Sequence, residues 1–147
     1  MVDRASRDAL AELIQQFVAG RITGAQLLDR HRVPRSKDRA VREIFWNALW
    51  GLFEDVHGHR LTQSDEIPSD LCANLARCSL FLKGDLEYEW TPYPAASKVF
   101  FLISSILTLG SVNRVMVHRW QQQGEYGVWP FKREEDYRRA LERGRAP

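Results

Sequence analysis

The first apolar residues of the chain recur at helical spacing. Between positions 10 and 18 they follow the i, i+3, i+4, i+7 rule, which predicts a helix over about residues 6–19. Asp3 or Ser6 can cap its N-terminus, and Gly20 is typical of the residue that closes a helix. The pattern therefore predicts an amphipathic helix with one face in a core.

Two further helix starts follow directly. Thr23 and Gln26 have the spacing of a capping box, which predicts a short helix over about residues 24–32. Ser36 can cap the next segment, about residues 37–57, whose apolar stripe is the widest in the chain. We expect this segment to be a central helix.

The second half of the chain continues the helical pattern. Helical spacing of apolar residues predicts a helix from about 69 to 90 that passes through Gly84, at a cost of about 1 kcal/mol relative to alanine there. Residues 95–109 are apolar nearly all round, which predicts a buried helix, although a strand is an alternative. Two more helices are predicted over about 112–123 and 133–143, and in the second of them Glu134–Arg138 and Glu135–Arg139 have the i, i+4 spacing of ion pairs. Together these segments predict an all-α, single-domain bundle of six or seven helices over residues 1–147, centred on 37–57 and 95–109.

Composition and charge narrow the class of protein. Cys72 and Cys78 lie on different sides of a predicted helix, so we expect buried, unpaired thiols in a reducing compartment. No apolar run is long enough to cross a bilayer, and the first residues lack a signal peptide core, which favours a cytoplasmic protein that does not enter membranes. The net charge of +2 divides unevenly, because residues 54–90 carry eight acidic and three basic side chains. The basic ends can pair with this acidic middle, or the middle can form an acidic binding face.

The sequence lacks a recognisable catalytic or cofactor signature. Known nucleotide-binding, hydrolase and zinc-protease motifs are absent, so no catalytic residue and no cofactor is predicted. His57 and His59 form an H-x-H pair that could bind a metal, but a position near a helix C-terminus also explains them, and no metal site is assigned. Residues 30–42 are rich in arginine, yet the near-neutral total charge argues against a dedicated nucleic-acid binder.

The most unusual segment is "GDLEYEW", residues 84–90. If the predicted helix reaches Trp90, three acids lie in its last turns, where the helix dipole disfavours each by about 0.3–1 kcal/mol. Arginines from the basic ends, Arg114, Arg119 or Arg133, could compensate internally. Alternatively, a basic partner compensates, with the tyrosines as aromatic anchors, and the predicted partner-binding residues are then Asp85, Glu87, Tyr88, Glu89 and Tyr93.

One segment resembles a known class of proteins, and two others resemble segments of other small bacterial proteins. "FVAGRITGAQLLDR" (17–30), an apolar helix end followed by glycine and a capped second helix, resembles the opening of small helical immunity proteins of bacterial toxin systems, colicin D immunity among them. "FLKGDLEYEW" and "VWPFKREEDYRRA" resemble segments of other small bacterial proteins. The resemblance implies a stoichiometric inhibitor that binds a toxin domain, often a nuclease with a basic active site, through an acidic surface. The near-neutral charge, the longer chain and the basic residues at 30–42 depart from that pattern, so no binding residue is transferred.

We therefore expect a non-enzymatic protein-binding module, most concretely an immunity-type inhibitor. Its partner would be a protein with a basic surface, and its oligomeric state stays open. The alternative is a small enzyme or a nucleic-acid-binding accessory protein whose site is assembled from residues distant in sequence.

Overall fold

The structure is mainly helical in the part of the chain that it describes. The computed structural model describes residues 1–30, 36–49, 68–91 and 111–145, and no strand occurs among them. The all-α prediction is confirmed for these residues. The number of helices and the single domain stay predictions, because residues 50–67 and 92–110 lie outside the described part. The helices are α1 (Arg4–Val18), α2 (Gly24–Arg30), α3 (Arg39–Ile44) with a π-helical continuation (Phe45–Leu49), α4 (Ser69–Lys83), α5 (Ser111–Gln121) and α6 (Glu134–Arg145), with a short 3-10 turn (Tyr126–Val128) before α6.

The predicted start and end signals of α1 and the predicted start signal of α2 are confirmed, whereas the predicted end of α2 lies outside the described residues. The carboxylate of Asp3 accepts a hydrogen bond from the backbone N–H of Ser6 at 3.2 Å and caps α1. Gly20 has a φ of 68°, the left-handed conformation that glycine adopts without strain. In the capping box of α2, the N–H of Thr23 donates to Gln26 Oε1 at 2.9 Å, and the N–H of Gln26 donates to Thr23 Oγ1 at 3.2 Å.

The third helix begins two residues later than predicted. Asp38 caps α3, since its carboxylate accepts from the N–H of Ala40 at 2.9 Å. The hydroxyl of Ser36 instead accepts from the N–H of Asp38 at 3.2 Å and donates to the Asp3 carboxylate at 2.7 Å. Ser36 therefore positions the cap and links it to the start of α1.

The core lies between α1 and α4, which pack along one another, and α3 and α6 contact α4 from other sides. The apolar face of α1 enters this core, as the spacing predicts. Aromatic side chains from outside the helices, including Trp90, Trp129 and Phe131, extend it. The largest fully buried apolar side chains are Trp90, Phe131, Leu10, Ile14, Leu27, Ile44, Leu49, Leu75, Leu82 and Val41.

The predicted helix over residues 69–90 is wrong beyond Lys83. Gly84 has φ −88° and ψ 168°, an extended conformation, and its N–H donates to the carbonyl of Phe81 at 3.0 Å. Residues 85–89 that follow are neither helical nor bent. The helix ends here because arginines of α1 satisfy the carbonyls of its last turn, as described below.

Other predictions concern single residues. Cys72 and Cys78 are both free thiols, as expected, but only Cys78 is buried, whereas Cys72 is partly exposed. The two i, i+4 pairs of α6 form, with Arg138 at 2.6 Å from Glu134 and Arg139 at 3.3 Å from Glu135. No helix within the described ranges is long and apolar enough to cross a membrane.

Candidate functional site

The candidate site is the non-helical run of residues 85–90, which we call the acidic segment. Asp85, Glu87 and Glu89 are exposed, whereas Tyr88 and Trp90 are buried, with 6% and 0% of their surface accessible. Polar and aromatic residues therefore alternate with a period of two, the periodicity of an extended chain rather than a helix. The helical dipole cannot act on the acids here, so that part of the sequence argument does not hold. Leu86, which helical spacing would place in the core, is 36% exposed.

Trp90 fixes the C-terminal end of the acidic segment. Its indole N–H donates to the carbonyl of Phe131 at 3.1 Å, and its ring lies 5.1 Å from that of Trp120. The guanidinium of Arg39 donates to the Trp90 carbonyl at 2.6 Å, and the ammonium of Lys132 lies 5.4 Å from the ring centre. Both the apolar and the polar parts of this residue are thus satisfied inside the protein.

Tyr88 is a core residue, so its predicted role as an exposed aromatic anchor is corrected. Its hydroxyl accepts a hydrogen bond from the indole N–H of Trp129 at 3.2 Å, and its ring meets that of Phe81 edge to face at 6.2 Å. Burial raises the pKa of the hydroxyl, which stays a neutral phenol. The other predicted anchor, Tyr93, lies outside the described residues.

Arg7 holds the N-terminal half of the acidic segment from inside. Its side chain is 1% exposed and pairs with Asp38, with Nε at 2.6 Å from the carboxylate. One terminal nitrogen of Arg7 donates to the carbonyls of Gly84 at 3.0 Å and Leu86 at 2.8 Å, and the other donates to Asp38 at 3.2 Å. Four of the five N–H groups of the guanidinium are therefore used, and its planar fork suits this geometry.

Asp38 is the anionic centre of the same network. Besides Arg7, its carboxylate accepts from the N–H of Ala40 and from the N–H of Asp3, both at 2.9 Å. Burial alone would raise the pKa of Asp38, but the hydrogen bonds from Arg7 and the two backbone N–H groups outweigh burial and lower the pKa below its ordinary value. The carboxylate is therefore ionised at neutral pH and compensates the buried guanidinium.

Arg4 holds the segment from the solvent side. It lies 3.1 Å from the Asp85 carboxylate and 2.9 Å from that of Asp8. It also donates to the backbone carbonyls at the end of α4, those of Leu82, Lys83 and Gly84. The last turn of α4 is thus capped by a cation, the charge that a helix C-terminus favours.

The three acids differ in their internal partners. Asp85 pairs with Arg4, not with the arginines suggested by sequence, and the terminal amino group of Met1 lies 2.9 Å from Glu87. The carboxylate of Glu89 forms no hydrogen bond or ion pair with any residue that the structure describes. Among the described residues, internal compensation is thus partial and confined to exposed pairs, which contribute no more than about 1 kcal/mol each.

The described part of the structure gives little support to the other candidate functions, namely a reactive cysteine and a metal site. Burial raises the pKa of the Cys78 thiol, which makes it a poor nucleophile. Within the described ranges, no three histidine, cysteine or carboxylate side chains come together as metal ligands. His57 and His59 lie outside these ranges, as do Arg32 and Arg35 of the arginine-rich residues 30–42.

Sequence reasoning missed Arg4, Arg7 and Asp38. The available signal was the position of Arg7, three residues before Leu10 on the apolar face of α1, where a charged side chain is buried only if it is paired. Asp38 on α3 and the carbonyl acceptors after α4 lie far from Arg7 in the sequence, so the residues around Arg7 do not indicate them as its partners.

Comparisons with protein-family models, with curated proteins and with solved structures found no match.

Proposed function

We propose that this protein is a non-enzymatic protein-binding module that uses the acidic segment to bind a basic protein surface. The observation that supports it is the arrangement of Asp85, Glu87 and Glu89, three exposed carboxylates on a backbone that buried residues hold in place. Charged groups fixed in this way bind without the entropy cost of ordering a loop. They also attract a basic partner over a distance and raise its association rate.

The most concrete form of this proposal is a cytoplasmic immunity-type inhibitor. A nuclease toxin must bind phosphates, so its active site is basic, and a fixed row of carboxylates complements it in charge. The inhibitor would occlude this site without performing chemistry. This form rests on the resemblance of residues 17–30 to the opening of helical immunity proteins, together with the exposure of the acids.

Co-expression tests the proposal. The genes beside the one that encodes this chain are searched for a small toxic domain, and the chain is expressed with that domain in a bacterial host. We expect the wild-type chain to restore growth and the triple variant Asp85→Asn/Glu87→Gln/Glu89→Gln to restore much less. The triple variant should also associate about tenfold or more slowly, with a flatter dependence on salt.

A matched control separates position from net charge. Glu134, Glu135 and Glu142 are exposed acids of α6, so changing all three to glutamine alters the net charge by the same amount. We expect this control to protect and associate like the wild-type chain. Equal loss in both triple variants would show that net charge alone matters, and loss in neither would place the binding surface elsewhere.

A further inference from the structure

Two arginines of one helix contact the acidic segment from opposite sides. Arg7 reaches the carbonyls of Gly84 and Leu86 from the buried side, and Arg4 reaches the carbonyl of Gly84 and the carboxylate of Asp85 from the exposed side. They lie three residues apart on α1, so they project from neighbouring positions of the same face. α1 therefore holds a segment that lies about eighty residues later in the sequence.

We infer that Arg4 and Arg7 are positioning residues of the binding surface, which hold the acidic segment in its binding conformation before a partner arrives. This inference builds on the proposed function. The local chain has few other constraints at this point, because no backbone hydrogen bond of residues 85–89 other than that to the Leu86 carbonyl joins them to the described residues. Between the end of α4 and the buried ring of Tyr88, the arginines are thus the main polar restraint.

The geometry explains why both residues must be arginine. Arg7 bonds a carboxylate and two carbonyls at once through three nitrogen atoms, and the single ammonium of lysine cannot reach all of them. Arg4 likewise spans several carbonyls and two carboxylates. Arg7→Lys and Arg4→Gln should therefore release the acidic segment while the helices remain folded.

Limited proteolysis of the full chain measures this release without a partner. Glutamyl endopeptidase cleaves after glutamate, and residues 87 and 89 report on the acidic segment. Exposed Glu12 in α1 and Glu142 in α6 report on the helices. Cleavage of native protein follows the population of locally opened chain. We expect Arg7→Lys to accelerate cleavage after residues 87 and 89 by about tenfold, and Arg4→Gln by several-fold, with little change at the two helical sites.

The control is Arg138→Gln, which removes an exposed, ion-paired arginine of α6 far along the sequence from the segment. It should leave cleavage of the acidic segment unchanged. Unchanged cleavage in both test variants, or equal acceleration at all four sites, would overturn the inference. If Arg7→Lys does not fold, Arg4→Gln decides alone, since Arg4 lies at the surface. Because this experiment needs no toxin, it can succeed even where the proposed function fails.

Association kinetics distinguish a positioning role of Arg4 from the electrostatic effect of removing its charge. Arg4→Gln makes the surface more negative, so electrostatic attraction alone would accelerate association with the basic toxin domain found by co-expression. A positioning role predicts the opposite, a slower association, because the segment must first be ordered. Faster association with that domain would overturn the positioning role of Arg4.

Discussion

At the scale of single residues, the acidic segment is held in place by buried aromatic side chains, each with an apolar ring and one polar atom that forms a hydrogen bond. Trp90 and Tyr88 each bury a ring, and each forms a hydrogen bond to a residue of the loop before α6, the Phe131 carbonyl and the Trp129 indole respectively. A buried ring with an unpaired polar atom would be costly, so these bonds fix the orientation as well as the depth of each ring. The acids between them are held at the surface as a consequence.

Two substitutions separate the contribution of ring burial to the free energy of unfolding from that of the side-chain hydrogen bond. Trp90→Ala should lower the free energy of unfolding by about 3–5 kcal/mol, because it leaves a large cavity in the core. Tyr88→Phe keeps the ring but leaves the Trp129 indole N–H unpaired, at a cost of about 1–3 kcal/mol. Chemical denaturation measures both values. If Trp90→Ala is as stable as the wild type, the ring is not in the core and the acidic segment is not held as described.

At the scale of elements, the end of α4 shows what local sequence can and cannot specify. Leu86 and Trp90 continue the helical spacing of α4, but "DLEYEW" also alternates with a period of two, and both patterns fit the same six residues. Tertiary contacts decide between the two patterns. Arg4 and Arg7 donate hydrogen bonds to the backbone carbonyls that are left without helical partners when α4 stops at Lys83. Such partners cannot be seen from a window of the sequence.

Local signals succeeded where the interacting residues are close in sequence. The cap of α1, the capping box of Thr23 and Gln26 and the ion pairs of α6 were all predictable from spacing. Of the site, the sequence left open whether the three acids are paired internally or face a partner, and it did not indicate the burial of Tyr88, since a tyrosine among acids fits either environment. The Arg7 to Asp38 pair joins residues 31 positions apart and was missed for that reason.

The loop between α5 and α6 yields a prediction with an internal control. A methyl group at Gly124 would lie 2.8 Å from the Lys132 carbonyl and 3.1 Å from the Trp90 ring, whereas one at Gly127 would meet nothing within 4 Å. Gly124→Ala should therefore lower the free energy of unfolding by about 1–3 kcal/mol, through overpacking. Gly127→Ala should be neutral to stabilising by up to about 1 kcal/mol. Thermal denaturation of the two variants should rank them in this order, and the reverse order would refute the described packing of the loop.

At the scale of the whole molecule, one polar network joins three parts of the chain. Asp3 at the start of α1, Asp38 at the start of α3 and the carbonyls after α4 all converge on Arg7 or on one another. Helix packing alone allows adjustments between elements, but a largely buried network in which Arg7 uses four of its five N–H groups has few alternative arrangements. The network therefore fixes the acidic segment relative to the core.

This network gives the protein a defined acid sensitivity. The pKa of Asp38 is lowered because the hydrogen bonds from Arg7 and the backbone outweigh burial, and that of Asp3 is lowered by hydrogen bonds from Ser6 and Ser36. A carboxylate whose pKa is lower in the folded state stabilises that state fully above its unfolded pKa, about 3.9 for aspartate. The contribution is lost as the pH falls from there through the folded pKa.

We expect Asp38→Asn to be less stable than the wild type by about 3–5 kcal/mol at neutral pH, because it leaves Arg7 unpaired. The difference should narrow below about pH 4, where the wild type loses the same interaction. Urea denaturation across pH measures it, with Asp29→Asn, an exposed residue of α2, as the control that should follow the wild type. A difference that stays constant with pH would mean that Asp38 is not the responsible group.

The contacts of Arg7 also set an order of events during folding. Its carbonyl acceptors lie 77 and 79 residues further along the chain. Contacts of this span close late, because the entropy of a long loop is lost before any of its contacts is gained. On the ribosome, α1 emerges well before Gly84 and Leu86 are synthesised, and until then Arg7 lacks these two acceptors. We therefore expect the surface that we propose for binding to form late, and not in a growing chain that ends before residue 86.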